Sequence, residues 1–492
     1  MPKRPKNPKN EALQDRSWVG EETVGLDFGD ERLEERLRKM LGDFGAQPGA
    51  SIPQASGDWA ATKAAYRCLD HEEVEAEQVL GAHRQATLER ARGQSVVLAV
   101  QDTTTLNFST HPRTEGLGPV SNNRDKTLGL LLHSTLALNE EGQALGLLEK
   151  RLWARDPERF HARPKGERNR LSVEHKESVK WLHSLEATVQ AAQAVASTQW
   201  INIGDREADS YDLFWRLVEL RADEDLGPAA ARVELLIRSQ HNRALSTEQE
   251  RLFGHLASLP VGGHYRCIVP RQPGHKAREA TLTLRWAPVS VPPPPDQVKH
   301  QARSVPLQLW AILAEEETSH PEQPPICWRL LTTLPVKEVT TAILQVRRYS
   351  QRWEIEVFHK TLKSGSKAEE RQLENTKRLE RCLILDMITA WRTLALSKAG
   401  RGEHCQQPVS PWLTEPQWKA LWCHIHQRTD PPETPPTTRQ AVRWIAQLGG
   451  FLGRKSDGHP GVMTLWRGLQ RLTDFTRAYT LFAKPQKDMG NA

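Results

Sequence analysis

The stretch SVVLAVQD, Ser95 to Asp102, decides the fold. From Val96 to Val100 it is continuously apolar, without the alternation of a half-solvated strand or the spacing of a surface helix. Gly93 precedes it and Asp102 closes it. This pattern predicts a strand buried on both faces, which needs a layer on each side. QWINIGD (199–205) and VELLIRS (233–239) read the same way. Between them, Glu177 to Ala196 puts Val179, Leu182, Leu185 and Val189 on one helical face, and Ser210 to Leu220 reads as a second helix. TLGLLLHSTLALN (127–139) and GQALGLLEKRLWA (142–154) meet at Glu140, Glu141 and Gly142, a hairpin signal. Three strands, a helix, a strand, a helix and a strand describe an α/β domain with a mixed sheet.

Outward from this core the patterns change. Residues 18–92 are helical. Leu33, Leu37, Met40 and Leu41 follow helical spacing after a capping Asp30, and further helices are expected over Trp59–Leu69 and Val74–Arg92. From 243 to about 335, HYRCIV, ATLTLRW, LQLWAILAE and CWRLLTT alternate between breaks that include Pro292–Pro295, the mark of a β-rich insertion. A long helix is expected from Lys337 through the 360s. Helical sequence then continues to the end, broken by TDPPETPPTT at 429–438. The expected division is 1–92, 93–242, 243–335, 336–370 and 371–492, without an internal repeat.

Composition narrows the class. The chain has 492 residues, 26% of them charged and 38% hydrophobic, as in a globular protein. Its richest apolar stretch, Thr127 to Leu138, is broken by His133 and Ser134, too short to span a bilayer. MPKRPKNPKN is basic without the apolar segment of a signal peptide, so neither secretion nor membrane insertion is expected. The six cysteines follow no disulfide spacing, which points to a reducing compartment. Cys423-His424-Ile425-His426 has no second cluster to complete a zinc site and reads as a helix between loops. Net charge is only +6, but eight Lys/Arg against three acids lie between Lys150 and Arg170. Such a loop either follows phosphates or is simply solvated.

GxGxxG, HExxH and GxSxG are absent, and Gly453-Arg454-Lys455-Ser456 lacks the glycine a phosphate loop needs. What remains are acids at strand ends, where open α/β sheets carry their sites. Asp102 closes SVVLAVQD and Asp205 closes QWINIGD. Neighbouring carboxylates repel unless a cation lies between them, so the pair is a metal site or two caps, Asp102 opening a turn over Thr103-Thr104-Thr105 and Asp205 capping the helix that follows it. A third element adds weight. Tyr349, Arg352, Glu356, His359, Lys360 and Lys363 recur at three- and four-residue spacing on one helical face, with Ile355, Phe358 and Leu362 on the other. One acid among several cations is either a solvated face or the escort of a phosphodiester held by divalent metal.

Gln101-Asp102-Thr103-Thr104, then Gly204-Asp205-Arg206-Glu207-Ala208-Asp209, then Tyr349-x2-Arg352-x3-Glu356-x6-Lys363 resemble, in order, the signature of the bacterial cut-and-paste DDE transposases, and within them the transposon-five group. The resemblance runs from Gly29-Asp30 to Trp418-Lys419. It implies an RNase H-like catalytic domain with Asp102, Asp205 and Glu356 as catalytic acids and ligands of two Mg²⁺ per site, with Mn²⁺ substituting. It implies nicking at transposon ends, hairpin formation and opening, and joining of the 3′ ends to target DNA. Tyr349, Arg352 and Lys363 match residues that hold DNA phosphates, with Lys360 beside them. Trp328 matches a tryptophan that stacks a flipped base, although a chain with 16 tryptophans also places some in its core. Arg238 matches a DNA-contacting arginine, and Arg36 and Arg67 match residues that grip the end sequence.

The same resemblance implies a helical N-terminal domain that binds DNA ends and a C-terminal dimerisation domain. Its partners would be double-stranded DNA and a second copy of the chain, in the bacterial cytoplasm and on the nucleoid, without a membrane. The basic arm before Trp18 and the divergent insertion depart from the family, and only the strand around Trp328 aligns there. A broken acidic triad would mark a non-catalytic DNA-binding form, and none is seen. A nuclease without strand transfer shares every residue named.

Overall fold

The computed structural model describes residues 18–121, 127–157, 177–246, 251–269, 277–294, 305–317, 324–454 and 457–482. Its strands are β1 Val96–Asn107, β2 Gly118–Pro119, β3 Leu128–Asn139, β4 Ala144–Trp153, β5 Gln199–Gly204, β6 Val233–Arg238, β7 Gly263–Val269, β8 Arg278–Val291, β9 Leu307–Glu316 and β10 Cys327–Thr332. They form one sheet, ordered β2-β3-β1-β5-β6-β10-β9-β8-β7, with β4 also paired to β3. β1, β5 and β6 are parallel neighbours, and the remaining pairings are antiparallel. This mixed sheet, with helices at both ends of the chain, is consistent with an RNase H-like domain carrying an insertion. The insertion is therefore not a separate sheet. β10 pairs with β6 through Leu330 to Arg238 and Thr332 to Leu236, extending the central sheet directly.

The apolar run of β1 is covered on both sides, as its composition requires. Val97 and Ala99 face a core shared with Trp181, Leu185 and Val189 of the helix Val179–Ala194 and with Phe214 and Leu217 of the helix Tyr211–Ala222. Leu98 and Val100 face a second core containing Ile355, Phe358 and Leu362. The three apolar positions expected to seat the Glu356 helix are thus fully buried.

Two elements differ from the sequence reading. β1 does not stop at Asp102. It continues to Asn107 because β3 stays alongside, pairing Leu106 with Leu130, and because Leu106 and Phe108 are buried. Thr103–Thr105 read as a turn, yet β-branched threonine is at home in a strand. The long helix from Lys337 is two helices, Val339–Ser350 and Trp353–Lys360, separated at Gln351 and Arg352 and followed by a π turn over Thr361–Gly365. Local periodicity registers neither the break nor the widened turn.

Helices α1 Trp18–Glu22, α2 Glu31–Ala46, α3 Ile52–Ser56, α4 Trp59–Asp70 and α5 Ala76–Ala91 build the N-terminal module. Asp30 caps α2 as expected, accepting from the Arg32 amide at 2.9 Å. The module is fastened to the sheet by a buried polar cluster. His83 meets Glu22 at 2.5 Å, Arg90 donates to the same carboxylate at 2.7 Å, and the Leu147 amide of β4 donates to His83 Nε2 at 3.0 Å.

The helix Thr376–Ala399 runs through the middle of this assembly, with nearly every residue from Leu379 to Ser397 buried. Asp386 on it is paired through both oxygens with Arg371, at 2.9 and 2.6 Å. Arg371 also donates to the Ala50 carbonyl at 2.7 Å and lies over the Phe44 ring at 4.4 Å. The N-terminal module, the segment after the Glu356 helix and the central helix are thereby joined at one ion pair.

Helices Glu415–His426, Thr438–Leu448 and Val462–Phe482 pack around Leu396, Trp418, Leu421, Ile445 and Leu465. His424 and His426 stack on Phe475 and against Trp422 and Trp444, so the Cys423–His426 cluster is part of this packing. The six cysteines are unpaired. No described helix is long and apolar enough to cross a membrane. Of the basic stretch, Lys150 pairs with Glu380 and Arg155 with Glu177, whereas Arg159 to Arg170 lie outside the described residues, as do Pro295 and the arm before Trp18.

Breaking a buried ion pair from one side leaves an uncompensated charge. Asp386→Asn is expected to destabilise the protein by about 3–5 kcal/mol, read as a lowered thermal midpoint. Glu149 on β4 offers a pH-dependent test. Burial, reinforced by Glu77, pushes its carboxyl up to about 7, and its Oε2 has no hydrogen-bond partner. A carboxyl raised in the folded state costs stability once ionised, above about pH 7, and that cost disappears as pH falls toward the unfolded value. Glu149→Gln should therefore raise the thermal midpoint at pH 8.5 and leave it unchanged at pH 4.5.

Candidate active site

Parallel pairing of β1 with β5 ends at Val100 opposite Ile203. Asp102 and Asp205 each lie two residues beyond that pair, so strand alternation sends both toward the face that carries the Glu356 helix. Asp102 is mid-strand in β1 but sits where parallel pairing stops. Asp205 also serves as the cap foreseen for it, its Oδ1 accepting from the Glu207 amide at 2.8 Å. Capping uses one oxygen and leaves the other available, so the two readings of Asp205 are compatible.

Glu356 sits one turn into its helix, next to buried Ile355 and two residues before buried Phe358. At the break ahead of that helix, Arg352 swings its guanidinium between two acids. Nη1 donates to Asp102 Oδ2 at 3.2 Å, and Nη2 donates to Glu356 Oε1 at 2.5 Å. Burial pushes the Asp102 carboxyl up to about 6. Arg352 and the Thr103 amide, which donates to Oδ1 at 2.7 Å, oppose that rise, while the like charges of Asp205 and Glu356 reinforce it. Asp205 and Glu356 therefore both act electrostatically on Asp102, and Arg352 bridges Asp102 to Glu356.

Tyr349 is buried beside them. Its phenol is pushed up by burial, opposed by the charges of Arg352 and Arg238, and the Arg238 guanidinium donates to the Cys327 carbonyl at 3.2 Å. Half-buried Trp328 meets the Tyr349 ring edge to face, with centroids 5.2 Å apart. The insertion strand, the end of β6 and the Glu helix thus bring Trp328, Arg238, Tyr349 and Arg352 into one patch beside the acids. Lys363 reaches the rim of β1, donating to the Thr105 carbonyl at 2.8 Å, and Lys360 is exposed. His359 departs from the expected face. It is buried, 3.4 Å from Ser134 Oγ, and burial holds its imidazole down to about 3. Arg36 on α2 and Arg67 on α4 belong to the N-terminal module, and no described contact joins them to the acids.

Asp209 has a role that the sequence reading left unassigned. Its Oδ2 accepts from Gln240 N at 2.7 Å, His241 N at 2.9 Å and Ser239 Oγ at 3.1 Å, and Arg243 pairs with Oδ1. It thereby fixes the loop that follows Arg238. Its place four residues after Asp205 was the available signal.

Three carboxylates are hard oxygen donors suited to Mg²⁺ or Mn²⁺. Among the described residues no three acids, histidines or cysteines converge on one point, because Arg352 stands between Asp102 and Glu356. The donor chemistry and the mutual repulsion fit a divalent cation. Arg352 supplies the positive charge in this arrangement.

The two ends of the chain have recognisable likenesses. Residues 15–74, which include Arg36 and Arg67, match the transposase DNA-binding family. This likeness is to the part of transposases that binds DNA. Residues 388–488 match the transposase Tn5 dimerisation domain, and together the two matches support a Tn5-like transposase that binds DNA and dimerises.

Removing the anchor of the Arg238 loop tests this geometry. Asp209→Ala should make residues 239–246 markedly more sensitive to limited proteolysis and cost about 2–4 kcal/mol, since several donors lose a buried charged acceptor.

Proposed function

We propose that this chain cuts and joins DNA at the ends of a transposon, with Asp102, Asp205 and Glu356 as catalytic acids. The observation that supports the proposal is that Arg352 bridges Asp102 and Glu356, with Asp205 near enough to act on Asp102, beside Tyr349, Arg238 and Trp328. Acids alone would repel DNA, whereas acids rimmed by Arg352, Lys360 and Lys363 offer a phosphodiester both grip and chemistry.

In this reading Asp102, Asp205 and Glu356 would hold two Mg²⁺ ions, or Mn²⁺, which would supply Lewis acidity. Arg352 then exchanges carboxylate oxygens for DNA phosphate, and Tyr349, Lys360 and Lys363 hold the strand. Trp328 stacks a base extruded from a hairpin, for which an indole face is a sequence-tolerant platform. Arg238 contacts the same strand, and Arg36 and Arg67 hold the end repeats. Nicking, hairpin formation, hairpin opening and strand transfer are each an in-line attack on a phosphodiester, so one site serves all four. The working form is a homodimer on two DNA ends, acting in the bacterial cytoplasm on double-stranded DNA.

Asp102→Asn, Asp205→Asn and Glu356→Gln should each lower nicking of an end-repeat DNA by at least about a thousandfold in Mg²⁺ while end binding stays within about threefold. Near-normal nicking by any one variant removes that residue from the acids. Trp328→Ala should nick normally and accumulate little hairpin on a denaturing gel. Joining to a target plasmid separates transposition from simple nuclease action.

A further inference from the structure

The face of β1 opposite Asp102 is not uniformly apolar. Gln101, His133, Asn202, Ser184 and Thr188 are all fully buried there, linked to Thr103 in one chain of hydrogen bonds. The Asn202 amide nitrogen donates to Thr188 Oγ1 at 2.9 Å and to the Ser184 carbonyl at 3.4 Å. Its Oδ1 accepts from Gln101 Nε2. With its nitrogen committed, Gln101 can offer only Oε1 to His133 Nε2, 3.2 Å away. His133 must therefore carry its proton on Nε2. Burial, with Lys180, His359, Arg151 and His183 nearby, keeps the ring neutral, so Nδ1 is left to accept from Thr103 Oγ1 at 2.9 Å. Thr188 Oγ1 in turn donates to the Ser184 carbonyl at 2.7 Å, so the run from Thr103 to the helix has no polar gap.

The placement matters more than the satisfaction. Gln101 and Thr103 flank Asp102 in sequence and point to the other side of the sheet. Thr103 also donates its amide to Asp102 Oδ1 at 2.7 Å, so one residue is held by His133 below and holds the carboxylate above. Asn202 lies on β5, three residues before Asp205. The chain thus ties β3, β1, β5 and the helix Val179–Ala194 together beneath the gap between the two aspartates. Leucine or valine would fill this face as well as they do its neighbours, and buried polar networks are costly unless complete.

We infer that Thr103 and His133, through Gln101 and Asn202, are positioning residues that set the orientation and separation of the Asp102 and Asp205 carboxylates for divalent cations. This rests on the reading of those acids as metal ligands. Partners behind a metal's ligands commonly change affinity or activity by about 10–100-fold when removed, and Mg²⁺ is demanding because it needs near-ideal octahedral geometry.

Thr103→Val deletes one hydroxyl and keeps shape, and Thr103→Ser restores it. Mn²⁺ affinity of the full-length protein, measured by electron paramagnetic resonance without DNA, should fall about tenfold in Thr103→Val and return in Thr103→Ser. Nicking in Mg²⁺ should fall in parallel with end binding unchanged, while the thermal midpoint drops only modestly in Thr103→Val, whose buried His133 Nδ1 loses its donor, and recovers in Thr103→Ser. His133→Leu should act in the same direction, and if it fails to fold, the Thr103 pair decides alone. Wild-type Mn²⁺ affinity and nicking in Thr103→Val would overturn the inference while leaving the proposed activity intact. Lowered Mn²⁺ affinity in Thr103→Val, alongside a wild-type protein that never cuts DNA, would sustain the positioning role and sink the activity. A wild-type protein that binds no Mn²⁺ overturns the inference.

Discussion

The burial of the Asp102 carboxylate, with Asp205 and Glu356 adding like charge to it, is the constraint around which this patch is arranged. Packing on both sides of β1 withdraws most of the Asp102 side chain from solvent, and that burial raises its carboxyl to about 6. Positive charge must come close, and it does so from the break between two helices, where Arg352 reaches both Asp102 and Glu356. An unbroken helix would keep Arg352 and Glu356 on one regular stripe; the interruption lets the guanidinium turn across the sheet. Tyr349, Arg238 and Trp328 then pack beside that arginine, which makes the surroundings of the acids cationic and aromatic.

A second constraint is mechanical. The N-terminal module and the C-terminal helices have their likenesses to DNA-binding and dimerisation domains, but neither is an appendage. The helix Thr376–Ala399 belongs to the central core at one end and to the C-terminal cluster at the other, sharing Leu396 with Trp418 and Leu465. Arg371 and Asp386 connect it to Ala50 and Phe44 of the N-terminal module. Movement of either end is felt close to the segment that follows Glu356.

Much of this was legible because burial writes itself into composition. Val96 to Val100 announced a doubly covered strand, and Ile355, Phe358 and Leu362 announced the face that seats the Glu helix. The insertion strands were visible by alternation. What stayed hidden were relations between distant segments. That β10 would join β6 depends on pairing partners more than 80 residues apart in the register Leu330 to Arg238, which no local window contains. His359 looked like a member of the polar stripe because helical spacing cannot register Ser134 and the sheet behind it. Thr103–Thr105 looked like a turn because the strand that keeps them extended comes later in the chain. The acids stand out in the sequence by the apolar runs that precede them, and the residues around Glu356 by spacing and by family resemblance.

The continuity of the sheet across β6 and β10 has a consequence for how the chain tolerates change. Without β10, β6 would present a bare edge of amides and carbonyls, a template for pairing with another molecule. The inserted region therefore acts as a seal on the central domain. Its turns and outer strands are free to diverge, whereas the strand carrying Trp328 is held to its register by the backbone it covers. A residue placed on that strand inherits a fixed address relative to Arg238, whatever happens to the remainder of the insertion.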